Sequence, residues 1–307
     1  MDLSNFIEKA RKNLKKSSIS NYVRNINILH DKKPYDNLDF LKNHKEIESK
    51  LEGKKDTSLR NYYTSIVVAL NSVDSEKYEK IIEIYQNILK ELTTKINDTY
   101  AKNEKTVKEN NNWLTYAELQ QIQVDYQEKV NKLELTKKEV ISPKDNKLLL
   151  YYLIASLYTL HAPLRLDWAN MKYIHNKKDI NYDDNFILDS GKYSKTIYLN
   201  DFKNVKKIGK QSFKLNKDLV KIINLYRKFN KGEYFLMNTR NFKMSQNSLS
   251  KMIPIVFNKN NKSVNLNMVR KSKIASEIDI EQQKKEVKLA NDMLHSEDTQ
   301  KTIYLKK

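Results

Sequence analysis

Cys is absent and Gly and Pro are scarce in this chain of 307 residues, and each shortage excludes a class of site or fold. Without Cys there are no disulfides, thiolate zinc sites or cysteine nucleophiles. The 4 glycines (Gly53, Gly191, Gly209 and Gly232) lie far apart, so no glycine-rich loop is available to cradle a nucleotide phosphate. Because there are also only 4 Pro, the composition argues against an all-β fold with many turns.

Long hydrophobic runs are missing as well. No apolar run approaches the roughly 20 residues that are needed to span a bilayer. The longest apolar-rich stretch, LLLYYLIASLYTL, predicts a buried helix. We therefore expect no membrane partner.

The chain is rich in positively charged residues. Lys and Arg number 57 and Asp and Glu number 38, which gives a formal net charge of +19. An excess of this size favours a polyanionic partner, of which nucleic acid is the commonest. The alternative is a Lys-rich solvated surface from an A+T-rich genome, which the abundance of Asn, Ile and Tyr also fits.

The hydrophobic periodicity predicts a mainly α protein with a small antiparallel β-sheet, in two domains. This pattern predicts a helical bundle over residues 1–95, a linker over the polar segment 96–112 and a second domain over residues 113–307. Helices of the second domain are predicted near 115–132, 145–160, 217–229, 246–258, 266–277, 283–293 and 297–304. Strands are predicted in the segments MKYIHN, NFILDS, KTIYLNDF and QSFKLN.

Two patches in the second domain carry cationic side chains at defined places. HAPLRLDW puts Arg165 at the end of the predicted apolar helix, and NLNMVRKSKIASE puts Arg270 near a helix start. Taken alone, Arg165 is better explained as a structural residue paired with Asp167 or with a carbonyl. Arg270 alone is unremarkable.

Two further patches complete the set. The predicted hairpin KTIYLNDFKNVKKIGKQSFKLN carries several lysines near its turn, of which Lys203 comes first. The segment LHSEDTQKTIYLKK places His295 nine residues before Tyr304. Hairpin lysines are usually only solvated, and one His before one Tyr is suggestive without being decisive.

In their order and spacing, the four patches resemble the tyrosine recombinase (phage integrase) family. The Lys- and Asn-rich composition resembles that of the integrases of large DNA viruses and virophages. The resemblance covers nearly the whole chain. It implies that residues 1–95 form a helical core-binding (SAM-like) DNA-binding domain, with SSISNYVRNINIL and TSLRNYYTSIVVAL as its matching segments, and that residues 113–307 form the catalytic domain.

The resemblance also implies roles for single residues. The implied catalytic residues are Arg165, Lys203, Arg270, His295 and Tyr304. The implied activity is site-specific DNA recombination or integration, in which strands are cut and rejoined through a 3′-phosphotyrosine. Because the covalent bond keeps the energy of the phosphodiester, neither ATP, a metal nor another cofactor is expected.

Three departures from the family pattern leave alternatives open. Asn267 stands where the family usually has His; it can still bind a phosphate oxygen of the substrate but cannot shuttle a proton. The stretch from Arg165 to Lys203 is long, so Lys206 and Lys207 compete for the same role. Only three residues follow Tyr304, whereas many relatives dock on a neighbouring protomer through a longer tail.

Two other functions remain as alternatives. One is a type IB topoisomerase-like enzyme with the same chemistry, and the other is a DNA-binding protein that has lost catalysis. The expected partners are double-stranded DNA and further copies of the chain, as a tetrameric synapse. The expected location is intracellular, in a viral factory, the host cytoplasm or the host nucleus.

Overall fold

The computed structural model describes residues 1–238, 240 and 242–304, and for Ile280 and Tyr304 it describes the backbone alone. The chain divides into two compact units, Met1–Glu104 and Lys105–Lys307. The structure is mainly helical, as the periodicity predicts, with a small four-stranded sheet and a two-stranded hairpin in the second unit.

The first unit is built from helices. Their bounds are α1 (Leu3–Ala10), α2 (Lys16–Leu29), α3 (His44–Leu51), α4 (Asp56–Val73) and α5 (Glu79–Ala101). Apolar residues at helical spacing meet in one core that includes Ile7, Ile26, Ile66 and Tyr85, all fully buried. The Tyr85 hydroxyl donates to the carbonyl of Leu41 at 2.7 Å, which satisfies a polar group inside this core.

The predicted linker contains more helix than its polar composition suggests. Helix α5 continues through Ile96, which is 3% exposed, and α6 spans Val107–Asn112. Thr106 and Glu109 form a capping box at the start of α6, since each side chain accepts a hydrogen bond from the other's backbone N–H. The division between the two units falls between these helices.

The remaining helices all belong to the second unit. Their bounds are α7 (Tyr116–Lys132), α8 (Pro143–Thr159), α9 (Val205–Ile208), α10 (Lys217–Phe229), α11 (Gln246–Val256), α12 (Leu266–Glu277), α13 (Ile280–Asp292) and α14 (Glu297–Thr299), and a π-helical turn follows at Gln300–Tyr304. The helices predicted for this part of the chain are therefore confirmed, with ends shifted by a few residues. Helix α8 is the predicted buried helix, with Leu149, Leu153 and Leu157 fully buried. Among the described residues, no helix is long and apolar enough to cross a membrane.

The four predicted strand segments form one sheet in the order β1-β2-β3-β4. The strands are β1 (Lys172–Ile174), β2 (Phe186–Asp189), β3 (Lys195–Leu199) and β4 (Gln211–Lys214). The expectation of a wholly antiparallel sheet is wrong, because β1 pairs with β2 in parallel. Residues 175–185, with a 3₁₀ turn at Lys177–Asp179, return the chain to the edge from which β1 starts, as a parallel pair requires.

A second, smaller hairpin lies just before α12. Strands β5 (Asn258–Lys259) and β6 (Lys262–Ser263) are antiparallel, and Asn260 and Asn261 between them both have positive φ angles, of 52° and 62°. Two such residues suit a tight turn of the type I′ class, and Asn tolerates that backbone well. Two residues after this hairpin, the chain enters α12, the helix that carries Arg270.

Candidate functional site

Arg165 lies in the bend that follows α8, and the core fixes its backbone. The hydroxyl of Tyr158, a fully buried residue of α8, donates to the carbonyl of Arg165 at 2.9 Å. Three residues further on, Trp168 is also fully buried. The Arg165 side chain itself is only half-buried, so the segment is anchored while its guanidinium stays accessible.

Arg270 reaches the same bend from α12. Asn265 caps this helix, and its side chain accepts from the N–H of Met268, so α12 begins at a defined residue. Met268 and Val269 pack into the core and leave Arg270 half-buried beside the bend. Its Nε donates to the carbonyl of Pro163 at 3.2 Å. The structure therefore brings the two predicted arginines to one place.

The two guanidiniums lie close enough for the charge of Arg165 to affect the pKa of Arg270. Burial lowers the pKa of Arg270, and the charge of Arg165 lowers it further. Burial raises the pKa of Asp167, while nearby backbone amides and the charges of Arg165 and Arg270 oppose that rise. Two cations and one carboxyl thus form a single charged cluster. Since each guanidinium presents several donors in one plane, such a pair suits the oxygens of a phosphate diester.

Asn267 lies one helical turn before Arg270, on the same face of α12. Its side chain is exposed. An exposed amide at this position can donate a hydrogen bond to a phosphate oxygen.

The hairpin lysines lie in the connection between β3 and β4, where they were predicted. Lys203 is in a turn, and α9 carries Lys206 and Lys207; all three are exposed. Lys210 is engaged elsewhere, because its Nζ donates to the carbonyl of Tyr182 at 2.6 Å. Nothing in these contacts separates Lys203 from Lys206 or Lys207.

A further exposed lysine, which was not among the predicted site residues, lies in a second hairpin turn. Strands β2 and β3 are joined by the short turn 190–194, and Lys192 is exposed in that turn. Its carbonyl accepts a hydrogen bond from Asn224 of α10 at 2.8 Å. Gly191, with a φ of 102°, was the available signal, because a glycine between two predicted strands marks a tight turn.

The tail, by which we mean residues 280–304, carries the other two predicted residues, His295 and Tyr304. His295 follows α13; its N–H donates to the carbonyl of Ala290 at 3.0 Å, and its Nδ1 lies 3.2 Å from the carbonyl of Met293. These contacts lie within its own segment. Tyr304 ends the π-helical turn, and its side chain lies outside the described residues.

The first unit offers a polar groove between α2 and α4. Its floor is a buried hydrogen bond of 2.9 Å from the Asn25 amide to the Ser65 hydroxyl. The groove has a volume of about 450 Å³, and Asn21, Arg24 and Asn61 are among its lining residues. Amide and guanidinium side chains in a groove between two helices are suited to the edges of bases and to phosphates.

Comparisons with protein-family models, with curated proteins and with solved structures give no match for this chain. Within the part of the chain that the structure describes, no group of three or more His, Asp or Glu side chains is arranged to hold a metal ion.

Proposed function

We propose that this protein is a tyrosine recombinase that cuts and rejoins double-stranded DNA at a specific site. The observation that carries the proposal is the convergence of Arg165 and Arg270 on the bend at residues 163–167. Within the part of the chain that the structure describes, no ion pair neutralises both of these arginines, which are 105 positions apart, and the half-buried carboxyl of Asp167 lies beside them. Two guanidiniums beside one carboxyl leave a net positive charge, which can bind the negatively charged phosphate of a phosphodiester.

The proposed reaction follows from the residue types. The Tyr304 oxygen attacks the phosphorus and its proton passes to water, while the bond from phosphorus to the 5′-oxygen breaks. The electron pair goes to the 5′-oxygen, which takes a proton from a hairpin lysine. Arg165 and Arg270 stabilise the charge on the other phosphate oxygens, and Asn267 and His295 donate to them. Attack of a 5′-hydroxyl on the phosphotyrosine reverses these steps and reseals the strand.

The remaining charge suits the same substrate. A net charge of +19 supplies contacts to phosphates along a duplex. The groove between α2 and α4 supplies side chains that distinguish bases. We propose that several copies of the chain, four for a complete exchange, assemble on the DNA, and that the reaction serves the integration of a viral or mobile genome inside the cell.

Covalent capture of DNA tests the proposal. The protein is incubated with a nicked suicide duplex that carries the terminal repeats of the source genome, and the adduct is mapped by mass spectrometry. We expect a DNA adduct on Tyr304, lost in Tyr304→Phe while duplex binding persists. Tyr100→Phe, at a tyrosine that is 62% exposed in the first unit, is the matched control and should keep the adduct.

Two results would give a different function. An adduct without exchange between two duplexes favours the topoisomerase-like alternative, because strand rejoining then happens only in place. Duplex binding with no adduct in any variant favours the DNA-binding protein, for which Asn267 in place of His is the specific observation.

A further inference from the structure

Residues 114–116, which we call the entry segment, follow the linker helix α6 and lead into α7. Leu114 and Tyr116 are buried and belong to the core of the second unit. Just before the entry segment, the carbonyl of Trp113 accepts a hydrogen bond from Lys262 Nζ at 3.2 Å. Because Lys262 lies in the small hairpin that precedes α12, the start of the entry segment is held beside that hairpin.

The entry segment is also attached to α12 itself. Ser272 is 2% exposed, and its hydroxyl donates to the carbonyl of Leu114 at 2.6 Å. On the same helix, Lys273 Nζ lies 4.6 Å from the centre of the Tyr116 ring, in a cation–π contact. Ser272 follows Arg270 by two residues. The helix that carries Arg270 is therefore tied to the entry segment by two side chains.

A further bond joins the entry segment to the end of α8. The Tyr116 hydroxyl donates to the carbonyl of Thr159 at 2.8 Å. Thr159 is the last residue of α8, where helical carbonyls lack a partner within the helix. Its neighbour Tyr158 holds the carbonyl of Arg165 in the bend that follows. Burial raises the pKa of Tyr116, so its hydroxyl stays protonated and remains a donor near neutral pH.

These bonds act on the relative placement of the two arginines. Arg165 and Arg270 come from different elements, so both can meet one phosphate only if α12 is held against the end of α8. The bond from Arg270 to Pro163 contributes to this, but it uses a donor of the guanidinium itself. The bonds of Tyr116 and Ser272 use no group of either arginine and can persist when a phosphate is bound. Misplacement of a reacting group by about 1 Å can cost about 100-fold in rate.

We infer that Tyr116 and Ser272 are positioning residues, which hold α12 against the end of α8 so that Arg165 and Arg270 bind the same phosphate. The inference rests on the proposed function. Both side chains are buried, so each acts through an arginine and not by contact with DNA. The alternative is that the two hydroxyls only satisfy buried carbonyls and contribute to stability alone.

A pair of DNA substrates separates positioning from stability. One carries the ordinary phosphate at the cleaved bond. In the other, a methyl group replaces one non-bridging oxygen, and this neutral methylphosphonate leaves less charge for the guanidiniums to stabilise. In Tyr116→Phe, which keeps the ring in the core, we expect cleavage of the phosphate to fall about 10-fold, with little change in duplex binding. Cleavage of the methylphosphonate should remain close to that of the unchanged protein.

The Arg270→Ala background gives a second measurement. Once that guanidinium is gone, the addition of Tyr116→Phe should slow cleavage of the phosphate by much less than it does alone, because the two residues act as one unit. A change that only loosened the fold would multiply the two losses. Ser272→Ala removes the other bond, and it should show the same loss on the phosphate and the same recovery on the methylphosphonate.

Tyr126→Phe is the matched control. Tyr126 lies on the same helix as Tyr116, and its hydroxyl donates to the carbonyl of Val256 at 3.3 Å. Val256 is the last residue of α11, so the change removes a bond of the same type at the end of a helix that carries neither arginine. Denaturant titration should show a loss of stability for both Tyr→Phe variants. Both cleavage rates should stay unchanged in Tyr126→Phe.

The possible outcomes separate the inference from the proposed function. Equal losses on the two substrates, or multiplied losses in the double variant, would show a structural role alone and overturn the inference, while the recombinase proposal would stand. An unchanged phosphate rate in Tyr116→Phe, or the same pattern of loss and recovery in Tyr126→Phe, would overturn it as well. If the unchanged protein forms no adduct with either substrate, both are wrong.

Discussion

The arginine cluster and the tail of the second unit differ in what holds them. The bend with Arg165 is anchored by the buried Tyr158 hydroxyl and by Trp168, and Arg270 is fixed to that bend through Pro163. In the tail, most of the described side chains of α13 are exposed. The apolar residues Leu289, Met293 and Leu294 are 50%, 55% and 94% exposed, and Ala290 is buried.

This difference indicates how the proposed site works. Donors that stabilise a transition state are most effective when they are already in place, since no energy is then spent on arranging them. The arginine cluster meets that condition without DNA. Since most of the described side chains of α13 are exposed, we expect the segment with His295 and Tyr304 to be held loosely until DNA binding completes the site. The following predictions test this contrast between a preorganised cluster and a loosely held tail.

The largest expected effect is in hydrogen exchange of backbone amides. Amides in α8 should open only with global unfolding, which costs about 5–15 kcal/mol for a typical domain. Amides of α13 should open locally, at a small fraction of that cost, because few apolar contacts hold the helix. Mass spectrometry of exchange with and without duplex DNA measures both. Equal protection of α8 and α13 in the free protein would contradict the contrast.

Removal of either arginine should give the next largest effect. Arg165→Ala or Arg270→Ala takes one preorganised donor from the transition state, which costs about 3–4 kcal/mol, or a rate loss of about 10²–10³. Duplex binding should weaken only modestly, because many other cations contact phosphates. Single-turnover cleavage rates and binding at a fixed salt concentration check the two parts.

A neighbouring residue on the same helix provides the control for this prediction. Lys271→Ala breaks an ion pair with Glu109 near the protein surface, and such a pair contributes little. The cleavage rate should stay near that of the unchanged protein. Arg270→Lys should not restore activity, since an ammonium lacks the planar set of donors. A Lys271 variant as impaired as the Arg270 variant would disprove the site assignment.

Sequence periodicity predicted most of the fold. The sequence of α7 begins with the capping-box pattern of Thr115 and Glu118, which is formed in the structure, and a continuous apolar run predicts α8. The parallel pairing of β1 with β2 was not predictable, because alternation of side chains is the same in parallel and antiparallel strands.

The candidate site was less accessible to sequence reasoning. The proximity of Arg165 and Arg270 followed only from the resemblance to a family, since no local pattern relates residues so far apart. The exposed Lys192 was not among the predicted site residues, because Gly191 alone marks the turn between β2 and β3 in the sequence. The buried Lys195 forms a 2.6 Å ion pair with Asp189, which the sequence does not predict, because a Lys that begins a strand is interpreted as solvated until its partner across the ladder is known. The roles of His295 and Tyr304 stay predictions.

Tyr158→Phe should moderately lower both the stability of the second unit and the rate of DNA cleavage. The change removes a hydrogen bond to the Arg165 carbonyl and keeps the ring in the core. We expect a loss of about 1 kcal/mol in the free energy of unfolding, the usual net value of one such bond. Cleavage should slow by more than duplex binding weakens, because the Arg165 backbone is less fixed. Denaturant titration and single-turnover rates measure these effects, and an unchanged cleavage rate would show that the anchor is not needed.

Leu294→Gly should have the smallest effect, and only on the tail. Leu294 lies two residues after the end of α13 and has a φ of 54°, a backbone conformation that is unfavourable for a side chain with a Cβ and natural for Gly. Removing that strain should stabilise the end of α13 by about 1 kcal/mol, seen as slower exchange of the Leu294 and His295 amides, which donate to Asn291 and Ala290. The midpoint of thermal unfolding should not move, because the tail opens independently of the core.

Leu294→Ala removes the exposed apolar side chain but keeps the strain, so it should not slow exchange. A rise in the global midpoint with Leu294→Gly would mean that the tail unfolds together with the anchored cluster, and the contrast between them would be lost.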